Sequence, residues 1–270
     1  MNLHRRDFIK TALTASAVVT VGGVTTSAAP ASKTATSPRE YYELRAYRLK
    51  PDASPDLLDR YLAQAFIPAL NARGIQTVGV FTEPEAKDGA AVWVLVPHPS
   101  LESVATVTAE LNTDPKVLAA GAEYLTTPGP NKPAFERIDS WLLVAFAGFP
   151  KLVVPSFAGP GKARIYELRI YESFSELKAL KKVDMFNDGE IAVMQEVNLS
   201  PVFYGQALIG NDLPHLAYML SSPDRETLAK SWSAFGKHPG WVNLKIDPQY
   251  ADTVSKITSR ILVPTNYSQL

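Results

Sequence analysis

The alternation of apolar and polar positions divides the chain into strands and helices that follow the same order twice. In the first half we predict a period-2 strand, an amphipathic helix, a hairpin of two β-rich runs, a second helix and a closing strand. These segments are 41–50, 55–73, 77–82, 90–96, 101–111 and 140–146. The second half repeats them at 164–172, 176–197, 201–207, 215–220, 225–235 and 258–263. Each half therefore has the ferredoxin-like order β-α-β-β-α-β.

The two halves also share sequence. The segment YELRAY at Tyr42–Tyr47 recurs as YELRIY at Tyr166–Tyr171, and the same offset aligns later prolines and glutamates. A constant offset over so much of the chain indicates an internal repeat. We predict a first repeat over 40–152, a second over 163–270 and a linker rich in proline and glycine over 153–162.

The predicted order sets a packing requirement. A ferredoxin-like unit covers one face of its antiparallel sheet with helices, and the other face needs a partner. Two tandem units can cover each other, so we predict an α+β fold built from two tandem ferredoxin-like repeats.

Several motifs give the chain a resemblance to a known family. They are the repeated YELR-x-Y strand, His215-Leu216, the corner at 238–241 and the ending at 259–270. These residues resemble NIPSNAP domains over both halves, the second more closely, because Ala91 stands where the second half has His215. The resemblance implies that the two repeats form an intramolecular dimeric α+β barrel, with the two sheets face to face around a shared interior. It implies no settled activity, since relatives on this fold include cofactor-independent monooxygenases and haem-handling enzymes.

The start of the chain has the character of an export signal. Residues 4–10 carry two adjacent arginines before a mild apolar run at 11–26, and they resemble a twin-arginine signal peptide, with His4 where that family usually has Ser or Thr. The residues in register are Arg5, Arg6 and Phe8. The apolar run is shorter than the roughly 20 residues of a spanning helix, so no stable membrane anchor is expected. We predict a signal peptide over 1–31, the twin-arginine export machinery as a partner, and a periplasmic or extracellular protein.

Charge and composition exclude several classes of protein. The chain has 27 Lys plus Arg against 27 Asp plus Glu and no basic run beyond its start, so a nucleic-acid partner is not expected. It contains no cysteine, which excludes disulfides, thiolate nucleophiles and sulfur-based zinc sites. No histidine pair has metal-site spacing, so no metal is predicted, and the sequence leaves the cofactor unknown. Hydrolase, dinucleotide and kinase motifs are also missing.

Strand parity suggests candidate ligand-binding residues. Tyr42, Leu44 and Ala46 share one face of the first strand, which we expect to lie under the helices. The opposite faces of the two repeated strands, expected to line the barrel interior, carry Glu43, Arg45, Tyr47, Glu167, Arg169 and Tyr171. Two interpretations stay open. Either each Glu pairs with an Arg across neighbouring strands and fastens the sheets, or the residues line a pocket that orients an anion or a carbonyl.

His215 is the candidate catalytic residue. It is the histidine that stands on a predicted interior strand, where an imidazole can act as an acid, a base or a haem ligand. A purely structural role is the competing interpretation. His98 and His238 are expected at the surface or as helix caps.

Two classes of function follow. The first is a small-molecule-binding or cofactor-independent oxygenase-like barrel that uses the Glu/Arg/Tyr residues and His215. The second is a non-catalytic interaction or assembly protein with a closed interior, and homo-oligomerisation stays open. A cavity between the sheets would favour the first class, whereas a filled interior beside an exposed apolar patch would favour the second.

Overall fold

The structure is a computed structural model that describes residues 38–50, 53–86, 89–126, 129, 133–158 and 162–270. The predicted signal peptide, with Arg5, Arg6 and Phe8, lies outside these residues. The described chain forms eight strands: β1 (Tyr41–Arg48), β2 (Gly79–Thr82), β3 (Ala91–His98), β4 (Arg137–Ala145), β5 (Ile165–Glu172), β6 (Ser200–Ile209), β7 (His215–Ser222) and β8 (Lys256–Pro264).

The eight strands close into an antiparallel barrel. Their order around it is β1-β3-β2-β8-β5-β7-β6-β4. Each half contributes four neighbouring strands, and the halves join where β2 pairs with β8 and where β4 pairs with β6. This arrangement confirms the predicted fold class, an α+β fold in which two ferredoxin-like units form an intramolecular barrel. The repeat boundaries at 40–152 and 163–270 remain predictions.

The interior of the barrel is filled with apolar side chains from all eight strands. Trp93 and Trp141 stack there with ring centroids 6.0 Å apart, and a Cβ added to Gly205 would come 2.8 Å from Cβ of Leu143. The buried members of this interior cluster are Tyr42, Leu44, Ala46, Phe81, Ala91, Trp93, Leu95, Trp141, Leu143, Ala145, Tyr166, Leu168, Val202, Phe203, Ala217, Met219, Leu262 and Leu270. The expectation that Tyr42, Leu44 and Ala46 lie under the helices is therefore wrong.

Helices cover the outside of each half. They are α1 (Asp56–Tyr61), α2 (Ile67–Ala72), α3 (Leu101–Thr113), α4 (Pro115–Ala120), α5 (Ala122–Thr126), α6 (Glu176–Met185), α7 (Ile191–Glu196), α8 (Arg225–Lys237) and α9 (Pro239–Ile246). One apolar cluster packs the first half's helices on its strands, and a second does the same in the other half. We call these clusters, with the polar residues among them, the first and second sheet–helix layers.

Each long predicted helix contains a π-helical turn. In the first half the turn Leu62–Phe66 joins α1 to α2, and in the second half Phe186–Glu190 joins α6 to α7. The two turns are 124 positions apart, the same offset that relates the repeated strands. A π-helical turn shifts the residues that follow it around the helix axis, and such turns are frequent at functional sites.

Short helices that the apolar periodicity did not indicate follow α3 and α8. Asp114 caps α4 through a hydrogen bond from the Lys116 amide at 2.9 Å, and His238 caps α9 by accepting from the Gly240 amide at 3.1 Å. The expectation of a capping role for His238 is confirmed. None of the helices in the described ranges is long and apolar enough to cross a membrane.

Candidate functional site

The Glu/Arg/Tyr residues of the first half form a connected group on β1. Arg45 donates two hydrogen bonds to Glu43, at 2.6 and 2.7 Å, and a third to the hydroxyl of Tyr47 at 3.2 Å. Its guanidinium lies 5.3 Å from the centre of the Phe66 ring, on the π-helical turn. The group therefore lies between the sheet and the helices.

This placement corrects two expectations about Glu43, Arg45, Tyr47, Glu167, Arg169 and Tyr171. Tyr47 packs in the first sheet–helix layer and Tyr171 in the second, so both faces point away from the barrel interior. Each Glu also pairs with the Arg two positions later on its own strand, instead of across neighbouring strands. The physical reason is that a closed interior shared by eight strands excludes water, and a charged face is better placed at the rim of a helix layer where part of it stays wet.

His98 joins the first group, which corrects the expectation that it lies at the surface. It ends β3, is 1% exposed, and its Nδ1 lies 3.0 Å from the hydroxyl of Ser103. Its Nε2 lies 3.8 Å from Oε2 of Glu43, beyond hydrogen-bond range. Burial alone would raise the pKa of Glu43, but the contacts with His98 and Arg45 outweigh it and lower that pKa to about 2. Glu43 is therefore a carboxylate at neutral pH.

The second half repeats the group on β5 with more partners. Arg169 donates to Glu167 at 2.6 Å and to the hydroxyl of Tyr171 at 3.2 Å. Glu167 also accepts from the indole of Trp232 at 2.6 Å and from Ser259 at 2.7 Å. The Trp232 ring covers the guanidinium of Arg169 at 4.6 Å. Through Trp232 and Ser259, Glu167 therefore connects β5 to α8 and to β8.

A buried ion pair, which the sequence analysis missed, lies in the same layer. Nζ of Lys182 donates to Glu190 at 2.7 Å, and their side chains are 5% and 2% exposed. The ammonium also lies 4.8 Å from the ring centre of Phe186 and 5.4 Å from that of Trp241. Burial raises the pKa of Glu190, and the charge of Lys182 only partly opposes this.

The repeat offers a signal that could have revealed this pair. Positions 124 residues before Lys182 and Glu190 are Leu58 and Phe66, both buried and apolar. Tyr218, which bonds Tyr171 through its hydroxyl at 2.8 Å, likewise has an apolar counterpart in the first half. At these three positions the second sheet–helix layer has polar side chains and the first has apolar ones. This difference makes the second half the better candidate for a site with chemical activity.

His215 lies at the start of β7 and lines a cavity of about 280 Å³. Its ring is buried, and Nδ1 lies 3.1 Å from the backbone carbonyl of Asp212. Because a carbonyl only accepts hydrogen bonds, this contact requires the proton on Nδ1 and leaves the lone pair on Nε2. Burial lowers the pKa of His215 below the ordinary 6.5, although Asp212 and Glu172 oppose the shift. His215 is therefore a neutral imidazole at pH 7.

The walls of the His215 cavity come from α6, the end of β6 and the hairpin before β7. They are Glu176, Ala179, Leu180, Gln206, Ala207, Leu208, Leu213, Pro214 and His215. Ala179 is one helical turn before Lys182, so the cavity lies at one end of the second sheet–helix layer. The structure therefore places His215 near that layer, while Glu43, Arg45 and Tyr47 lie in the other half.

A larger depression of about 1060 Å³ lies elsewhere, along the end of the chain and residues 162–165. Of its cations, Arg225 pairs with Glu85 at 2.9 Å, and Asp224 and Glu226 also line the depression. It brings together none of the candidate residues, so the smaller His215 cavity is the better site. Among the described residues, no group of three or more His, Asp or Glu could hold a metal ion.

The family comparison separates the two halves. Residues 166–269 match the NIPSNAP family model. The NIPSNAP match includes Glu167, Arg169 and Tyr171, the Lys182–Glu190 pair and His215. The first half of the chain, with the first sheet–helix layer, lies outside the matched residues. No curated protein matches the sequence significantly.

Two solved structures share the fold over most of the chain at low sequence identity. A presumed monooxygenase from Fusobacterium nucleatum has 6% identity and a TM-score of 0.55, with 84% of this chain and 92% of that chain covered. A presumed monooxygenase from Lactobacillus acidophilus has 7% identity, a TM-score of 0.54 and coverages of 84% and 94%. A NIPSNAP-like domain protein from Burkholderia xenovorans has 22% identity over 38% of this chain and 87% of that chain, with a TM-score of 0.35.

Proposed function

We propose that the protein binds a small molecule with an acidic O–H group, such as a phenol or an enol, in the His215 cavity and that His215 accepts its proton. The observation that carries the proposal is the fixed tautomer of a buried histidine at a cavity. The Asp212 carbonyl holds the Nδ1 proton, so Nε2 is free to accept, and the lowered pKa keeps the ring neutral until it does.

The cavity suits a ligand of this kind. Its volume of about 280 Å³ accommodates a single substituted ring, and its walls are mostly apolar, with Gln206 and Glu176 as further polar groups. Proton transfer from the ligand's O–H to Nε2 leaves an oxyanion and an imidazolium. An electron-rich anion of this kind reacts more readily with molecular oxygen than the neutral molecule does. The proposal therefore extends to cofactor-independent oxygenase chemistry, for which the fold shared with presumed monooxygenases is an analogy only.

The Glu/Arg/Tyr residues have a structural role in this proposal. Their charges are paired on their own strands and packed against helix residues, so each group fastens helices to its sheet. The protein is proposed to act after export to the periplasm or the cell exterior.

Binding of para-nitrophenol tests the proposal, because the phenolate form has a visible absorption band. We expect a saturable increase of this band with the full chain and its loss in His215→Phe. His238→Gln is the matched control, since His238 is partly exposed and pairs with Glu196 at 3.0 Å, away from the cavity. Equal binding by His215→Phe and the unmodified protein would contradict the proposal.

A second candidate function is supported by the filled barrel interior. A filled interior is expected in an interaction or assembly protein, and apolar side chains from every strand pack inside this barrel. Sedimentation of the purified protein distinguishes the two functions. A concentration-dependent oligomer that persists in His215→Phe, without phenol binding by either protein, would favour assembly.

A further inference from the structure

Exposed apolar side chains surround the His215 cavity. Three of its wall residues, Leu180, Leu208 and Leu213, are themselves between 42% and 48% exposed. Two more exposed side chains lie at the start of α6. Phe174 precedes the helix and is 69% exposed, and Leu177 lies in its first turn and is 67% exposed. We call Phe174, Leu177, Leu180, Leu208 and Leu213 the apolar rim.

The backbone holds the rim together around the cavity. Leu177 and Leu180 are one turn apart on α6, so their side chains are neighbours on one helix face. The Ser173 amide donates to the Pro214 carbonyl at 3.0 Å, which fixes the residue before Phe174 to the hairpin that carries Leu213. Leu208 stands at the other end of that hairpin, near the end of β6. The rim is therefore continuous with the cavity walls.

The rim and the cavity differ in what they can bind. His215, a buried hydrogen-bond acceptor, is one of the residues that line the cavity, which has room for about one ring. The rim offers apolar surface without a charged side chain among its five members. A contiguous exposed apolar surface marks a binding site more often than chance exposure does. A ligand that matches both parts has a polar head that reaches His215 and a hydrocarbon tail that lies over the rim.

We propose that the ligand is an amphiphile, an acidic O–H head group that carries an alkyl tail, with the tail bound by the apolar rim. This inference names the ligand class of the site described under Proposed function and rests on that proposal for the role of His215. A folded partner protein or a second copy of this chain would also cover an apolar rim. Neither would account for a cavity with a buried imidazole among its lining residues.

Alkylphenols of increasing tail length test the tail separately from the head. Burial of one methylene contributes about 0.8 kcal/mol, which corresponds to about fourfold in affinity, and a tail on an open rim is only partly buried. We expect para-hexylphenol to bind at least about tenfold more tightly than para-ethylphenol in the full-length protein. Calorimetric titration measures both affinities under the same conditions.

Rim variants locate the effect. In Phe174→Ser/Leu177→Ser we expect the ratio of the affinities for the two phenols to fall to about half or less of its value in the unmodified protein. Ile246→Ser is the matched control, because Ile246 on α9 is 68% exposed and lies outside the rim. The rim variant and the control change only exposed residues, so the fold should tolerate both.

The outcomes separate this inference from the proposed function. Loss of para-ethylphenol binding in His215→Phe supports the head-group site. Whether the rim binds the tail is tested only by the dependence of affinity on tail length. Equal affinity for the two phenols, or the same tail dependence in the rim variant as in Ile246→Ser, would overturn the inference. So would a change in sedimentation coefficient caused by the rim variant, which would assign the rim to contacts between copies of the chain.

Discussion

Glu190 stands in the second half where Phe66 stands in the first, since each is the last residue of its π-helical turn. Phe66 packs against the guanidinium of Arg45 at 5.3 Å, whereas Glu190 accepts a hydrogen bond from Lys182 at 2.7 Å. The same backbone feature thus supports an apolar contact in one layer and a buried ion pair in the other. Each half therefore shows which residues can occupy the equivalent position of the other half.

The ion pair should be replaceable by the residues of the first half. Lys182→Leu leaves Glu190 buried without its partner and should reduce the free energy of unfolding by about 3 to 5 kcal/mol. Lys182→Leu/Glu190→Phe restores the pair found at Leu58 and Phe66, so it should recover most of that loss. Urea unfolding measures all three proteins. Lys181→Leu is the control, because its partly exposed pair with Asp184 should contribute less than about 1 kcal/mol.

The two arginines should differ in their contribution to stability. Arg45→Met removes both hydrogen bonds that Glu43 accepts from Arg45, and one serine contact at 3.1 Å remains. Arg169→Met leaves Glu167 with a tryptophan and a serine donor, at 2.6 and 2.7 Å. We expect Arg45→Met to cost on the order of 3 kcal/mol and Arg169→Met clearly less. Thermal and urea unfolding measure both.

A rescue variant completes this test. In Glu43→Leu/Arg45→Met no unpaired charge remains, so most of the stability lost in Arg45→Met should return. Near-normal stability of Arg45→Met itself would contradict the fastening role of the pair. It would instead place Arg45 in a solvent-filled site of the kind that the sequence analysis left open.

The stability of the protein should fall in mild acid because of His215. Its pKa is lowered in the folded state, so the unfolded chain binds a proton first as the pH drops below about 6.5. The stability that the neutral ring contributes is present above that pH and is lost as the pH falls toward the folded pKa. The groups that face His215, namely Asp212, Glu172 and Glu176, are unchanged in His215→Gln.

Comparison of unfolding free energies at about pH 7 and about pH 5 checks this prediction. Between these values the unmodified protein should lose more stability than His215→Gln does. An equal loss in both proteins would show that the ring titrates normally. A smaller loss in the unmodified protein would mean that its pKa is raised instead.

Export is predicted to depend on the paired guanidinium groups near the start of the chain. Arg5→Lys/Arg6→Lys keeps the charge but changes the groups that the twin-arginine receptor reads, so the protein should stay inside the cell. Fractionation of cells that express the full chain measures the exported share. Substitution of Lys10 alone should leave export intact, and unchanged export of the double variant would defeat the assignment.

The sequence determined the fold class because two signals agreed, the order of elements and the repeated YELR-x-Y strand. It misassigned the faces of β1 for a physical reason. One face of this strand is buried and the other is only partly exposed, so alternation alone could not say which one meets the helices. β3 gives no further help, because every one of its residues is buried.

Only part of the candidate site could be predicted from the sequence, for a related reason. His215 could be singled out as a histidine on a strand, but its carbonyl contact and its cavity depend on the hairpin at 210–214 and on α6. Lys182 and Glu190 lie in the predicted helix 176–197, in which the sequence analysis singled out no polar residue. Comparison with Leu58 and Phe66 was the available sign that these two positions are buried.

The state of the His215 ring is the most direct test of the account. Nitrogen-15 NMR of the full-length protein, with His215→Phe used to assign the signal, reports the tautomer, the pKa and ligand contact together. We expect a neutral ring protonated at Nδ1, a pKa below the ordinary 6.5, and a shift of the Nε2 signal when para-ethylphenol is added. A ring protonated at Nε2, or an Nε2 signal that a saturating concentration of the phenol leaves unchanged, would contradict it.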